Sequence, residues 1–207
     1  YEILINEYEK IQETGKKSFI FNVTIQTHGS FKGEVDHLVW LKGEEGQYPQ
    51  AEVYLSLLEK SDEAFEYLID YFKSKEEPVI ICMFGDHWPT IEDELLARME
   101  KNSGEDELGI LTKEYQTPFL IWANYDIEEK TYENISANYL STLLLETAGV
   151  PLTDYQCYLK NLLKQYPVIS VHAVKDKSGN WYTLEEAKEF EAIKEYEKVQ
   201  YYELFDK

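Results

Sequence analysis

Several things are scarce in this chain, and each scarcity excludes something. Its 207 residues include two cysteines, Cys82 and Cys157, with no C-x-x-C spacing, too few for a disulfide framework and silent about redox compartment. Cys82 lies in an apolar run and reads as a small buried hydrophobe. No apolar run approaches the roughly 20 residues that a bilayer span needs. Basic side chains number 20 against 40 acidic ones, a formal charge of −20, which repels polyanions and argues against a nucleic-acid or anionic-membrane surface. Arginine occurs once, at Arg98 in a helix-like stretch, so no bidentate arginine clamp for an anion is evident. G-x-x-x-x-G-K, G-x-G-x-x-G and G-x-S-x-G do not occur, which leaves P-loop, Rossmann and hydrolase-elbow chemistry without support.

What is present is globular. Hydrophobic residues make up 43% and charged ones 29% of the chain, enough to build a core and too balanced for disorder. The length suits one sizeable domain or two small ones. The chain opens at Tyr1 inside a helix-like run ending at Ile11, without an initiator Met or signal peptide, and the expectation is a piece of a longer protein.

Ser18 to Gln26 is β-branched and aromatic and breaks at Thr27-His28-Gly29, as a strand entering a loop would. Lys32 to Gln50 contains Gly33, Gly43, Gly46 and Pro49 and reads as a long exposed connection. From Ala51 to Lys73 apolar positions recur at helical spacing, with Ser61 marking a point where the helix could break. Val79 to Phe84 is an unalternating apolar run, the pattern of a central strand buried on both faces, and it ends in Gly85-Asp86-His87-Trp88-Pro89. Ile91 to Lys101 is helix-like, Pro118 to Ala123 is a second strand, and Ser136 offers an N-cap for a helix over Ala137 to Ala148. Thr153 to Tyr166 repeats that device. A hairpin from Val168 to Tyr182, turning at Lys177 to Asn180, precedes a charged helix from Leu184. The fold class expected is α/β, a mainly parallel sheet flanked by helices, with about 1–150 as the α/β core and about 151–207 as a helix–hairpin–helix subdomain.

In parallel sheets ligands gather at the carboxyl ends of strands, where His28 and His87 both fall. Asp86 and His87 are suitable zinc or manganese ligands, and Gly85 allows the turn that lets both face one ion. The plainer alternative has Asp86 capping the following loop or helix and His87 in a surface hydrogen bond. His28 is either a structural hydrogen-bond partner or a catalytic group. His37 reads as a loop residue and His172 as structural. Asn22-Val-Thr24 and Asn134-Ile-Ser136 are sequons of little weight. Tyr67, Tyr71, Tyr139 and Tyr155 fit amphipathic helices as core and rim.

The ordered segments Phe21-Asn-Val-Thr-Ile-Gln-Thr-His-Gly29, Val79 to Pro89, Thr117-Pro-Phe-Leu-Ile-Trp-Ala-Asn124, Ile135-Ser-Ala-Asn-Tyr-Leu140, Ala148-Gly-Val-Pro151 and Tyr196 to Tyr201 together resemble the lipoteichoic acid synthase family. These are membrane-anchored phosphoglycerol transferases with a sulfatase/alkaline-phosphatase-like catalytic domain. The resemblance implies that Asp86 and His87 are the family's late metal pair, loaded with manganese in preference to zinc, magnesium or calcium. It implies that His28 faces the substrate phosphate, with Thr27 standing where the family has Asn. The family's threonine nucleophile and early acidic metal ligand match nothing here, so the chain is expected to be the C-terminal portion of the catalytic domain and inactive by itself. Implied partners are a phosphoglycerol lipid or another phosphate or sulfate ester, and no nucleic acid. A membrane would be met through a preceding anchor that displays the domain outside the bacterial cytoplasmic membrane. Other options are a sulfatase, phosphatase or phosphonate hydrolase on the same scaffold, and a non-catalytic envelope-binding module.

Overall fold

The computed structural model describes residues 1–36, 39–103 and 107–205, so His37 lies outside the described residues. The chain divides into two compact units: Tyr1–Val79 with Pro89–Asn102, and Ile80–Trp88 with Ser103–Lys207.

In the first unit, α1 (Glu2–Gln12) and α2 (Pro49–Lys73) meet through aromatic rings. Tyr8 packs edge-to-face on Phe72 with centroids 5.0 Å apart, and the Tyr71 hydroxyl donates to Glu9 Oε1 at 2.6 Å. No break occurs at Ser61, because its hydroxyl donates to the Leu57 carbonyl at 3.0 Å and stays within the helix. The second half of Lys32–Gln50 is less open than its glycines suggest. Glu52, 1% exposed, accepts hydrogen bonds from the Leu41 N–H at 3.2 Å and the Gly46 N–H at 3.0 Å, and the Val39 N–H donates to Ser56 Oγ at 2.8 Å. A buried carboxylate must be hydrogen-bonded, and here the loop backbone supplies the donors. The first turn of α2 has no cap from its own N-cap residue, Tyr48. Glu92 takes that place, accepting from the Gln50 N–H at 2.6 Å and the Ala51 N–H at 3.0 Å. Arg98 forms a two-pronged pair with Glu44 and lies over the Tyr48 ring, so the sole arginine is committed to holding this loop.

Ser18–Gln26, expected as a strand, forms none. Phe19, Phe21, Val23 and Ile25, which alternate along it, are each 70–85% exposed. A strand is stabilised by the ladder to a neighbour, and no described strand pairs with this segment.

In the second unit, β1 (Ile80–Phe84) pairs with β2 (Phe119–Ala123), running from Ile80 opposite Ala123 to Phe84 opposite Phe119. This pairing is antiparallel, as is the other sheet, so the mainly parallel sheet is not formed among the described residues. Apolar runs alternating with helices report buried strands but not their relative direction. In sequence, the chain between the two strands forms α3 (Asp93–Ser103), most of which belongs to the first unit, and α4 (Glu107–Glu114), the latter not anticipated.

The remainder is closely packed. A 3-10 turn (Ala137–Tyr139) leads into α5 (Leu140–Thr147), then α6 (Asp154–Leu163), strands β3 (Val168–Ile169), β4 (Ala173–Lys175) and β5 (Trp181–Thr183), and helices α7 (Leu184–Ala187) and α8 (Glu191–Phe205). Thr153 with Gln156 and Thr183 with Glu186 form capping boxes that start α6 and α7. Tyr139, Leu159, Leu162 and Tyr196 form one core cluster, and Val174, Ala187 and Ile193 another. The Tyr139 hydroxyl donates to the Tyr166 carbonyl at 2.9 Å, and burial raises its pKa above the usual tyrosine value. The β4–β5 turn is organised by Asp176, which accepts from Asn180 Nδ2, the Asn180 and Ser178 backbone N–H groups and the Tyr182 hydroxyl. These bonds, Asn180's first, lower its pKa to about 2.

Candidate functional site

β1 delivers its chain to the loop 85–88 through a tight junction. The Gly85 N–H donates to the Pro118 carbonyl at 3.1 Å, and the Thr117 hydroxyl donates to the Gly85 carbonyl at 2.8 Å. A Cβ on residue 85 would stand 3.0 Å from Thr117 Cβ, so the close approach calls for glycine. Three residues on, Trp88 Nε1 donates to the Gln116 carbonyl at 2.6 Å.

Between these ties lie Asp86 and His87, with side chains 81% and 66% exposed. Asp86 Oδ1 accepts from the His87 N–H at 2.9 Å, the local capping that the plainer reading expects. The second oxygen is turned elsewhere: Asp86 Oδ2 is 3.5 Å from His87 Nε2. His87 Nδ1 lies 2.8 Å from the Trp88 carbonyl oxygen. A carbonyl can only accept, so Nδ1 carries a proton, and in the neutral ring Nε2 is the nitrogen left with the lone pair. This is the arrangement that orients histidine ligands in metal sites. Two donors about 2.1 Å from one ion at a tetrahedral angle stand about 3.4 Å apart, close to the Asp86–His87 separation. The pair therefore fits two positions of a divalent-cation site, and no group of three or more His, Cys, Asp or Glu with metal-ligand spacing occurs among the described residues.

His28 belongs to the first unit, in the turn after the extended segment, where its N–H donates to the Ile25 carbonyl at 3.1 Å. Its Nδ1 donates to the Gly29 carbonyl at 3.2 Å, which by the same logic leaves Nε2 free. The sequence marks His172 as structural. It stands in the β3–β4 turn with its ring stacked on Tyr115 at a centroid distance of 3.9 Å, a contact between distant positions that no local pattern signals. Asn134 is tied down as well, accepting from Lys175 Nζ at 2.7 Å.

With this geometry in place, comparison with known proteins defines the class. The sulfatase family model matches residues 2–150. The chain belongs to the sulfatase family. It is similar, at 25% identity over 205 residues, to a putative cyclic beta-1,2-glucan modification protein of Rhizobium meliloti (strain 1021), covering 91% of this chain and 31% of that protein. It is also similar to the capsular polysaccharide biosynthesis protein RkpI of the same strain, at 30% identity over 90 residues, 43% of this chain and 15% of that one. Among solved structures, the Streptococcus pyogenes phosphoglycerol transferase GacH in complex with sn-glycerol-1-phosphate aligns at a TM-score of 0.49 and 19% identity, covering 64% of this chain and 31% of that one. The chain thus spans about a third or less of the length of these relatives.

Proposed function

We propose that this chain contributes to a metal-dependent phosphoglycerol transferase that moves a glycerophosphoryl group from a phosphatidylglycerol-type phosphodiester to a hydroxyl of a cell-envelope polymer. The observation that carries the reading is the convergence of Asp86 Oδ2 and His87 Nε2 at 3.5 Å, with the histidine proton held on the opposite nitrogen. Sulfatase-family membership and the ordered motifs support it. The names of two relatives, one for glucan modification and one for capsular polysaccharide biosynthesis, favour a polysaccharide acceptor.

In this reading Asp86 and His87 hold two coordination positions of a divalent cation, manganese in the first place. When bound, the cation supplies Lewis-acid stabilisation of charge on the phosphoryl oxygens, which a chain of net charge −20 otherwise lacks. His28, with Nε2 unengaged, donates a hydrogen bond to a non-bridging phosphoryl oxygen or passes a proton to the leaving alkoxide when protonated. The nucleophile is assigned to none of the matched motifs, so the 207-residue chain is expected to turn over no phosphodiester. The family's display outside the cytoplasmic membrane is part of the proposal; among the described residues no helix is long and apolar enough to cross a membrane. A hydrolase acting on a sulfate or phosphate ester is the second reading, favoured by the breadth of the sulfatase family itself.

A titration of the chain with Mn²⁺, read by calorimetry, tests the site. We expect weak binding, since two ligands make an incomplete shell, and a further loss of about tenfold or more in Asp86→Ala and in His87→Ala. Unchanged affinity in both variants sinks the assignment. Phosphodiester turnover by the chain that Asp86→Ala abolishes would show that the nucleophile lies within these residues.

A further inference from the structure

A cavity of about 490 Å³ opens beside Asp86 in the second unit, within the size range of small-molecule sites, roughly 300–1,000 Å³. Tyr115, Tyr132, Trp181 and His172 contribute rings to its lining, together with the carboxylates Asp86 and Glu133. We propose that this cavity binds a neutral glycan, with the stacked Tyr115–His172 pair as its platform. The inference rests on the transferase reading, which requires an acceptor next to Asp86, and deepens it by specifying an uncharged acceptor and the surface that holds it.

Charge makes the first selection. Asp86 and Glu133 are the charged side chains of the lining; Lys175 Nζ, 3.4 Å behind Glu133, offsets that carboxylate, and Asp86, with no cationic side chain in the lining, disfavours an anionic polymer or a free phosphate there. Hydrogen bonding makes the second. Thr117, Asn134, Ser136 and Ser170 also reach the cavity, but each already serves the fold: Thr117 on the Gly85 carbonyl, Asn134 on Lys175, Ser136 on Asn138 and the Ile169 N–H, and Ser170 around the β3–β4 turn. The hydroxyls of Tyr115 and Tyr132 and the ring nitrogens of His172 have no hydrogen-bond partner among the described residues.

An acyl chain in this space would leave those groups unpaired and two carboxylates against hydrocarbon, which is unfavourable for each of them. A sugar ring answers both demands, since its C–H face packs on an aromatic ring while its hydroxyl rim donates and accepts at the edges. Tyr115 is 57% exposed, so the platform is open to an incoming ligand. A hydroxyl held here is beside the carboxylate that the transferase reading assigns to the metal.

The test is a titration of the chain with sophorose, a neutral β-1,2-linked glucose disaccharide, and with a mixture of longer β-1,2-gluco-oligosaccharides. Binding is read by calorimetry and by tryptophan fluorescence, Trp181 being at the wall. Saturable binding in about the millimolar range is expected, weakened at least fivefold in Tyr115→Ala and in His172→Ala. Tyr132→Phe, which removes one hydroxyl and no bulk, is expected to weaken it by about threefold and guards against loss of folding in the alanine variants. Glucuronic acid should bind at least fivefold more weakly than sophorose. His87→Ala, outside the cavity lining, should lose Mn²⁺ affinity and keep sophorose affinity within twofold. If sugar binds and Mn²⁺ does not, the metal reading fails and the subsite stands. Absence of saturable binding by any of these sugars, binding unchanged in all three cavity variants, or equal binding of glucuronic acid overturns the proposal.

Discussion

Two stretches of this chain, both rich in aromatic and branched side chains, are treated in opposite ways. Between Ala137 and Tyr196, Tyr139, Leu159, Leu162, Val174, Ala187 and Tyr196 are each less than 5% exposed, packed by neighbours that the same stretch supplies. Between Ser18 and Gln26, Phe19, Phe21, Val23 and Ile25 remain 70–85% exposed, although their alternation is stronger than in any strand that does form. β1 lies between these extremes, partly buried at Ile80 to Cys82 and exposed at Met83 and Phe84, just before Asp86 and His87. Hydrophobicity alone therefore does not create burial. Burial comes from complementary surface, and the residues proposed for chemistry follow the stretches that have least of it.

The largest way to test this contrast is Leu159→Ala, which empties space in a packed cluster and should cost about 2–5 kcal/mol in urea-induced unfolding. A loss below 1 kcal/mol, an order-of-magnitude floor for such a site, would mean that the cluster is not the core it is taken for. Asp176→Asn is the intermediate case. The Asp176 carboxyl sits at about 2 in the folded chain against an ordinary value of 3.8, so its contribution to stability is full above about pH 4 and fades as pH falls through about 2. The variant should melt below the wild type at neutral pH. That gap should shrink steadily as the pH is lowered from 4 towards 2, and a gap that stays constant would contradict the assignment. Smallest is Phe21→Ser in the exposed strip, expected to change unfolding stability by no more than about 0.5 kcal/mol either way. A loss comparable to that of Leu159→Ala would show that the strip is packed in solution and would erase the contrast.

What could be read in advance divides along the same line. Helices were legible where sequence-local physics decides. Thr153 and Gln156 announce α6 with a capping box, and the three- and four-residue spacing from Tyr54 to Phe72 announces α2. The strands of β1 and β2 were legible as strands but not in direction, because pairing is decided by residues far apart in sequence. The segment Ser18–Gln26 shows the limit of β-propensity, which describes fitness for a pleated, half-buried surface and needs a neighbour to express it. The loop before α2 was misjudged for a related reason. Its glycines are visible in the sequence, whereas the carboxylate of Glu52 that gathers the Leu41 and Gly46 N–H groups is an ordinary helical residue until the chain folds. In the candidate site, Asp86 and His87 were legible as a ligand-type dipeptide after a glycine. Their shared geometry and the proton on Nδ1 were not, since both depend on how the loop 85–88 turns, and the Tyr115–His172 stack was not, since it joins rings from two turns far apart in sequence.

The junctions at either end of loop 85–88 have a consequence for how the pair meets a ligand. Gly85 is fastened to Thr117 and Pro118, and Trp88 is fastened to Gln116, so three consecutive residues ahead of β2 pin both ends of a four-residue arc. Ordering a residue's backbone costs about 1–2 kcal/mol of entropy, and for Asp86 and His87 that freedom is surrendered when the chain folds, before any cation arrives. The arc is preorganised. Cutting one clasp, as in Trp88→Phe, would leave both donors in place and make binding bear the ordering cost instead.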